Sequence, residues 1–246
     1  MKAMILAAGL GTRLRPLTDN MPKALVPLNG KPLLEYTILK LKAAGFDEII
    51  VNVHHFPEMI TDFLHRNHNF DIRIEISDER DELLDTGGGI KNTAGFFDDG
   101  EPFLIHNVDI LSNIDLKQLY DQHLSDPERL TTMVVSSRNT YRYLLFDEQN
   151  RLRGWINEKT GQTKPEENMD ARLFNKLAYA GIQIISPRIF QLMENYDEKF
   201  SIMKFYLEHS STEKIIGYVP KDFQMMDMGK IDLLKSGELF IRDIVR

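Results

Sequence analysis

Short apolar runs alternate with stretches of helical periodicity along the first half of the chain. Residues 2–7, Lys-Ala-Met-Ile-Leu-Ala, have the length and composition of a strand buried on both faces. Over 33–44, Leu34, Ile38 and Leu41 recur on one side of a helix, and Gly45 supplies its stop. Residues 48–53 read as a second buried strand, and 57–67 as a helix opened by Pro57. Alternation over 72–76 predicts a third strand. A helix over 89–96 follows the triplet Gly87-Gly88-Gly89, and 103–107 is a fourth apolar strand leading to Asp109. Strand-helix alternation of this kind predicts an α/β fold with a parallel, doubly wound sheet and right-handed crossovers.

The second half changes character. Residues 131–136 and 143–147 are strand-like, and Asp147-Glu148-Gln149-Asn150 is a turn after which 152–157 pairs back as a hairpin. Residues 158–168 are polar, contain Gly161 and Pro165, and read as an exposed loop. A strand follows over 177–185. Ser186-Pro187 then starts a helix with its apolar body at 189–193. Helix 201–209, strand 215–219 and a closing helix over 230–244 complete the chain, so the sheet is expected to become mixed. Neither an internal repeat nor a low-complexity linker divides it. One domain over 1–246 is expected, with functional halves of about 1–125 and 126–246.

Composition narrows the partners. Of 246 residues, 42% are hydrophobic and 27% charged, the balance of a soluble globular protein. No apolar run approaches the roughly 18 residues of a membrane span. The apolar start is too short for a signal peptide and is followed by Arg13 and Arg15. The absence of cysteine excludes disulfides and thiolate metal sites and fits a cytoplasmic location. A net charge of −7 argues against nucleic acid or an anionic membrane as partner. It leaves room for a small anion met by a local cluster of Arg13, Arg15 and Lys23.

That cluster adjoins the most informative stretch, Leu6-Ala-Ala8-Gly9-Leu-Gly11-Thr12-Arg13. Glycines directly after a buried strand let backbone N–H groups close around an anion. Arg13 adds a planar fork of donors suited to phosphate oxygens, and Lys23 a second point charge. The segment is no Walker A loop, because no Gly-Lys-Ser/Thr follows, and it lacks the third glycine of a dinucleotide fingerprint. Taken alone it is also compatible with a glycine turn flanked by solvated basic residues.

Read on to Arg15-Pro16-Leu17-Thr18 and Pro22-Lys23-Ala-Leu-Val-Pro27, the stretch resembles the signature of the sugar-1-phosphate nucleotidyltransferases. It is most similar to the N-acetylmuramate-1-phosphate uridylyltransferase and mannose-1-phosphate guanylyltransferase branches, and the likeness runs from Met1 to the closing helix. The resemblance implies a Rossmann-like, doubly wound mixed sheet. No hexapeptide repeat announces the β-helix appendage of longer members. It implies a reaction in which a sugar 1-phosphate oxygen attacks the α-phosphorus of UTP or GTP and pyrophosphate leaves. Leu6, Ala8, Gly9, Gly11, Thr12, Arg13 and Lys23 would then surround the triphosphate, with Arg13 and Lys23 catalytic. Glu79 and Gly88 would meet the base, and Asn107 and Gly181 the sugar. Asp109 and Asp227 would hold Mg²⁺.

Position alone leaves other roles open for these residues: a turn or N-cap for Asp109, the cap of the last helix for Asp227, and a flexible loop for the glycine triplet. Two departures from the pattern concern the sugar side. Val108 stands where the family usually has glycine before the aspartate, and Thr160 replaces the proline that follows Glu-Lys in many relatives. A cytidylyltransferase acting on a polyol phosphate, and a nucleotide-sensing subunit without turnover, are the rival readings. His54-His55 read as loop histidines rather than a zinc site, Met225, Met226 and Met228 as core filler, and Asp78–Asp85 as a solvated acidic loop. Trp155 suits either stacking on a sugar or packing.

Overall fold

A computed structural model describes residues 1–244. In chain order its strands are β1 (Lys2–Leu6), β2 (Pro27–Leu28), β3 (Lys31–Pro32), β4 (Glu48–Val53), β5 (Arg73–Asp78), β6 (Phe103–Asn107) and β7 (Ile110–Ser112). The second half adds β8 (Arg129–Ser136), β9 (Arg142–Phe146), β10 (Leu152–Asn157), β11 (Gln162–Lys164), β12 (Asn175–Ile185), β13 (Lys214–Tyr218) and β14 (Met225–Asp227). The helices are α1 (Leu33–Ala43), α2 (Pro57–Arg66), α3 (Asp85–Asn92), α4 (Leu116–Leu124), α5 (Ile189–Met193), α6 (Ile202–His209) and α7 (Leu234–Ile244).

The four early strands lie parallel in the order β5-β4-β1-β6. The chain leaves β1 towards β4 and later returns to its other side as β6. The order therefore reverses between β1 and β6, where an open α/β sheet presents its ligand crevice. The antiparallel β12 pairs with β6 and makes the sheet mixed, as expected. Beyond it, β8 pairs with β12 and β13 with β8. The first residues of β12 pair instead with β9, which continues into β10 and β11. Both halves of the chain thus share one continuous sheet of ten strands.

Side chains of the central strands alternate between two cores. Ala3, Ile5, Ile49, Val51 and Leu104 pack with Leu34, Ile38 and Leu41 of α1 on one face. Met4, Ile50, Phe103 and Ile105 pack with Ile90 of α3 and Phe205 of α6 on the other. Burying each such side chain contributes about 1.5–3 kcal/mol, which is why these strands read as unbroken apolar runs. A smaller cluster of Leu14, Val26, Leu28, Leu33, Leu111, Met228 and Ile241 seats α7. No helix among the described residues is long and apolar enough to cross a membrane.

Three expectations change. The helix placed after the glycine triplet contains it, running over Asp85–Asn92 rather than 89–96. Asp85 starts it by accepting from the Thr86 N–H (2.6 Å), and the N–H groups of Gly87 and Gly88 both donate to the Phe200 carbonyl. A Cβ at Gly88 would run into the Glu198 carbonyl oxygen, so this glycine serves a helix-to-chain contact. The polar stretch 158–168 contributes the edge strand β11, paired through Trp155↔Lys164 and Ile156↔Thr163. The short β7 and β14, and helix α4 with Asp115 capping the Gln118 N–H (2.8 Å), had no counterpart in the sequence reading.

Two histidines are sealed into this framework. His106 in β6 is fully buried and donates from Nδ1 to the Asn107 carbonyl, and burial lowers its pKa to about 4. His123 in α4, between Thr132 Oγ1 and Ser186 Oγ at 3.0 and 3.1 Å, is lowered by burial to about 4 as well. Between pH 6.5 and 4 the unfolded chain binds protons that the folded chain refuses, so stability is full above this window and falls through it. Each ring should contribute a loss of about 1.4 kcal/mol per pH unit inside the window. Urea unfolding across pH 4–7 should show this slope, and His123→Gln should remove about half of the histidine contribution. An identical slope in the variant would show that His123 takes up its proton without unfolding the protein.

Candidate active site

The crevice between β1 and β6 opens into a cleft of about 350 Å³. Its floor is the chain leaving β1. Asn52, at the end of neighbouring β4, accepts through Oδ1 from the N–H groups of Ala7 (2.7 Å) and Ala8 (3.2 Å). Gly9 then faces open space, since a Cβ there would meet no atom within 4 Å. Gly11 takes a left-handed backbone (φ +63°), and its carbonyl accepts from the Leu14 N–H (2.8 Å) and the Thr18 hydroxyl (2.9 Å). Thr18 is buried, so its part in the motif is to lock this turn. The N–H groups of Gly9, Leu10 and Gly11 find no acceptor among the described residues. Successive free donors of this sort form an anion-binding concavity.

Arg13 leaves the turn on a single 3-10 turn, Thr12–Leu14, and a second one, Lys23–Leu25, brings Lys23 to the same wall. The opposite wall carries the carboxylates. Asp109 lies in the tight turn between β6 and β7. The antiparallel pairing of β7 with β14, in register Ile110↔Asp227, sets Asp227 beside it. The Met228 N–H donates to the Asp109 carbonyl (2.8 Å), and Asp227 Oδ1 accepts from the Gly229 N–H (2.8 Å). A Cβ built on Gly229 would lie 2.7 Å from Arg13 Nη2, 2.8 Å from Asp227 Oδ1 and 3.2 Å from Asp109 Oδ2. One cation and two carboxylates thus converge on a single point that only glycine leaves free.

The Lys23 ammonium bonds to Asp109 Oδ2. Burial pushes the Asp109 carboxyl above its ordinary range; the Lys23 charge opposes that shift and the Asp227 charge adds to it. Two carboxylates facing one point, with further positions left to ligand oxygens and water, suit Mg²⁺. No set of three or more His, Cys, Asp or Glu side chains gathers for a metal among the described residues, so this pair would leave most of the coordination to ligand and water.

Of the expected site residues, Leu6, Ala8, Gly9, Arg13 and Lys23 line the cleft, as do Glu79, Asn107, Asp109 and Asp227. Gly11 and Thr12 shape the turn behind it. Gly181 sits beneath Asn107: with φ +78° it makes the bulge in β12, and a Cβ there would lie 2.9 Å from Asn107 Nδ2. Gly88 opens instead on an adjoining acidic cavity of about 500 Å³, which shares Glu79 with the cleft. Glu79 is buried, with Oε1 accepting from Asn52 Nδ2 (2.7 Å) and Oε2 from the Leu84 N–H (3.1 Å). Both oxygens are committed within the protein, which works against a direct reading of a base edge.

Leu83, Asp85 and Thr86, which lie between the Glu79 and Gly88 expected at the base, also line the cleft, as does Asn52, which was not foreseen. The one visible signal was a lone amide in the otherwise apolar run Ile49-Ile-Val-Asn52-Val53. Val108 costs the backbone nothing: it is not among the residues with positive φ, its side chain joins the core, and its N–H donates to the Leu6 carbonyl (3.2 Å). Lys159 holds its ammonium 3.9 Å from the Tyr141 ring centre, away from the cleft-lining residues. His54 donates to the Glu79 carbonyl (2.6 Å), Met228 is core, Met225 and Met226 pack against core clusters, and Trp155 packs at the rim of the second core.

Comparison with known proteins agrees with the fold. The N-acetylmuramate alpha-1-phosphate uridylyltransferase of Caulobacter vibrioides is 31% identical over 230 residues, spanning 91% of this chain and 90% of that protein. The D-glycero-alpha-D-manno-heptose 1-phosphate guanylyltransferase of Aneurinibacillus thermoaerophilus is 31% identical over 232 residues, 93% of each. The crystal structure of HddC from Yersinia pseudotuberculosis complexed with GMP-PN shares the fold with a TM-score of 0.77 at 22% identity, covering 98% of this chain and 99% of that one. The nucleotidyl transferase family pattern matches residues 2–243, and the chain belongs to that family.

Proposed function

We propose that the protein transfers a uridylyl or guanylyl group from UTP or GTP to a sugar 1-phosphate. The observation that carries this reading is the convergence of Arg13, Asp109 and Asp227 on one point, with Lys23 on Asp109 and the N–H of Gly9, unpartnered among the described residues, in the same crevice. The two full-length relatives act, by their names, on an N-acetylmuramate and a heptose 1-phosphate, with different bases.

In the proposed reaction a sugar-phosphate oxygen forms a bond to the α-phosphorus as the bond to pyrophosphate breaks. The attacking oxygen is already anionic, so the step needs no general base. The barrier comes from bringing two anions together, and it falls when fixed positive charge meets them. The Gly9–Gly11 N–H groups and Arg13 hold the triphosphate. Lys23, largely withdrawn from water, sets a second positive charge where the chains of phosphate meet. Asn107, backed by Gly181, faces the sugar from the end of β6. Asp109 and Asp227 would hold Mg²⁺, which when bound supplies further charge neutralisation at phosphate oxygens.

A matrix of nucleoside triphosphates against sugar 1-phosphates, read by pyrophosphate release, should show turnover with UTP or GTP. Silence at every pairing would end this reading. Arg13→Ala should lower turnover at least about a hundredfold through lost charge stabilisation, and near-normal rates would remove the phosphate role. Asp109→Asn and Asp227→Asn should each raise, by about tenfold or more, the Mg²⁺ concentration needed for half-maximal turnover. The same shift should appear in the Mg²⁺ dependence of thermal stabilisation by a non-hydrolysable triphosphate. An unchanged titration would take that aspartate out of the metal site.

A further inference from the structure

Asn52 stands on β4, outside the glycine turn, the cationic wall and the carboxylate pair. Its side chain is 3% exposed and makes three hydrogen bonds. Oδ1 accepts from two successive N–H groups of the phosphate turn, Ala7 and Ala8, and Nδ2 donates to Glu79 Oε1. Glu79, itself 3% exposed, passes the connection on: Oε2 accepts from the Leu84 N–H at the start of α3, and its carbonyl accepts from His54. Helix α3 closes over this pair so tightly that a Cβ at Gly89 would lie 2.8 Å from Glu79 Oε1 and 3.2 Å from Asn52 Nδ2. A continuous line of hydrogen bonds therefore joins Ala7 and Ala8 to the segment carrying Leu83, Asp85 and Thr86 across the cleft.

We propose that Asn52 and Glu79 form a positioning pair that sets the phosphate turn against the start of α3, so that the two walls receive one nucleoside triphosphate together. The proposal rests on the nucleotidyl-transfer reading for the identity of the ligand. The chemistry of the pair is specific. Oδ1 must accept from two N–H groups while the same side chain donates to a carboxylate, and only a primary amide of this length does both. Aspartate at 52 would set two carboxylates face to face. Leucine would strand two N–H groups and a carboxylate oxygen in a buried place. Glutamine at 79 would have to turn its NH₂ towards either the Asn52 NH₂ or the Leu84 N–H, donor against donor.

Exchanging the two chemistries restores every bond. In the double variant Asn52→Asp with Glu79→Gln, the aspartate still accepts from Ala7 and Ala8. The glutamine NH₂ donates back to it, and the glutamine oxygen accepts from Leu84. Neither residue is placed against the reacting phosphorus, so the expected signature is selective. Asn52→Asp and Glu79→Gln should each lower kcat/KM for the triphosphate by about ten- to a hundredfold, with KM for the sugar 1-phosphate changed less than about twofold. The double variant should return to within about threefold of the parent, a non-additivity that reports direct coupling.

Calorimetric titration of the same four proteins with Mg-UTP and Mg-GTP gives a readout that does not need turnover. Weak binding in the singles and recovery in the double, with no pyrophosphate released by the parent, would keep the positioning pair and end the transfer reading. A double variant no better than its worse single would overturn the pair. So would single variants that lose both substrates equally in step with a fall in Tm, because that is the mark of general destabilisation. Unchanged triphosphate kinetics in both singles would overturn it outright.

Discussion

β1 pairs in parallel with β4 on one side and β6 on the other, in the registers Leu6↔Asn52 and Leu6↔Asn107. Those pairings put three strand ends in one row at the edge of the sheet. Much of the cleft departs from that row. The glycine turn leaves from Leu6, Asn52 accepts from its first two N–H groups, and the turn carrying Asp109 follows Asn107. Chain order matters as much as pairing, because β6 arrives from the far side of β1 after three crossovers, through α1, α2 and α3. The turn at 7–11 therefore has no crossover helix lying directly over it on the β6 side. The space left there is held open by the fold and filled by polar groups from both sides.

Within that space the charges are arranged as an unfinished set. Asp109 is buried beside Asp227, an arrangement that raises its pKa, and the Lys23 ammonium offsets only part of the cost. Arg13 approaches the same point from the other wall. A buried site in which two carboxylates and two cations face one another at close range is expensive to desolvate unless further charges complete it. Phosphates together with a divalent cation would do so, the cation meeting the carboxylates and the phosphates the charges of Arg13 and Lys23. The same residues that resist burial in the free protein become complementary once such a ligand arrives. Fixed charge of this kind costs no reorganisation at the moment of reaction.

The sequence exposed the fold through its commonest physical signal. Ala3, Ile5, Val51 and Leu104 are buried because their strands are covered on both faces, and that burial shows as apolar runs of strand length. The turn over Gly9 and Gly11 was legible as a turn for a related reason, since glycines directly after such a run end the strand and free the backbone. The pairing of Asp109 with Asp227 was not. It depends on the three-residue ribbon of β7 and β14, too short to show a period, joining positions more than a hundred residues apart. The glycine triplet misled for the opposite cause. Gly propensity argues against a helix interior, yet tertiary contacts with the 198–200 segment require small residues there and override it.

The glycines of the crevice separate into two kinds by what a methyl group would strike. At Gly88 and Gly89 it would strike the protein: a carbonyl of the neighbouring chain, or the buried Glu79 carboxylate. Folding alone accounts for these. At Gly9 it would strike nothing, although the residue lines the cleft and its N–H has no partner among the described residues. Neither packing nor a positive φ asks for glycine at that position. What remains is the approach of something that is not part of the chain, closely enough for a single Cβ to stand in its way. Gly229 combines both cases, because the methyl group it lacks would occupy the point where Arg13 and the two aspartates meet. The molecule keeps this point free of its own atoms and surrounds it with charge of both signs.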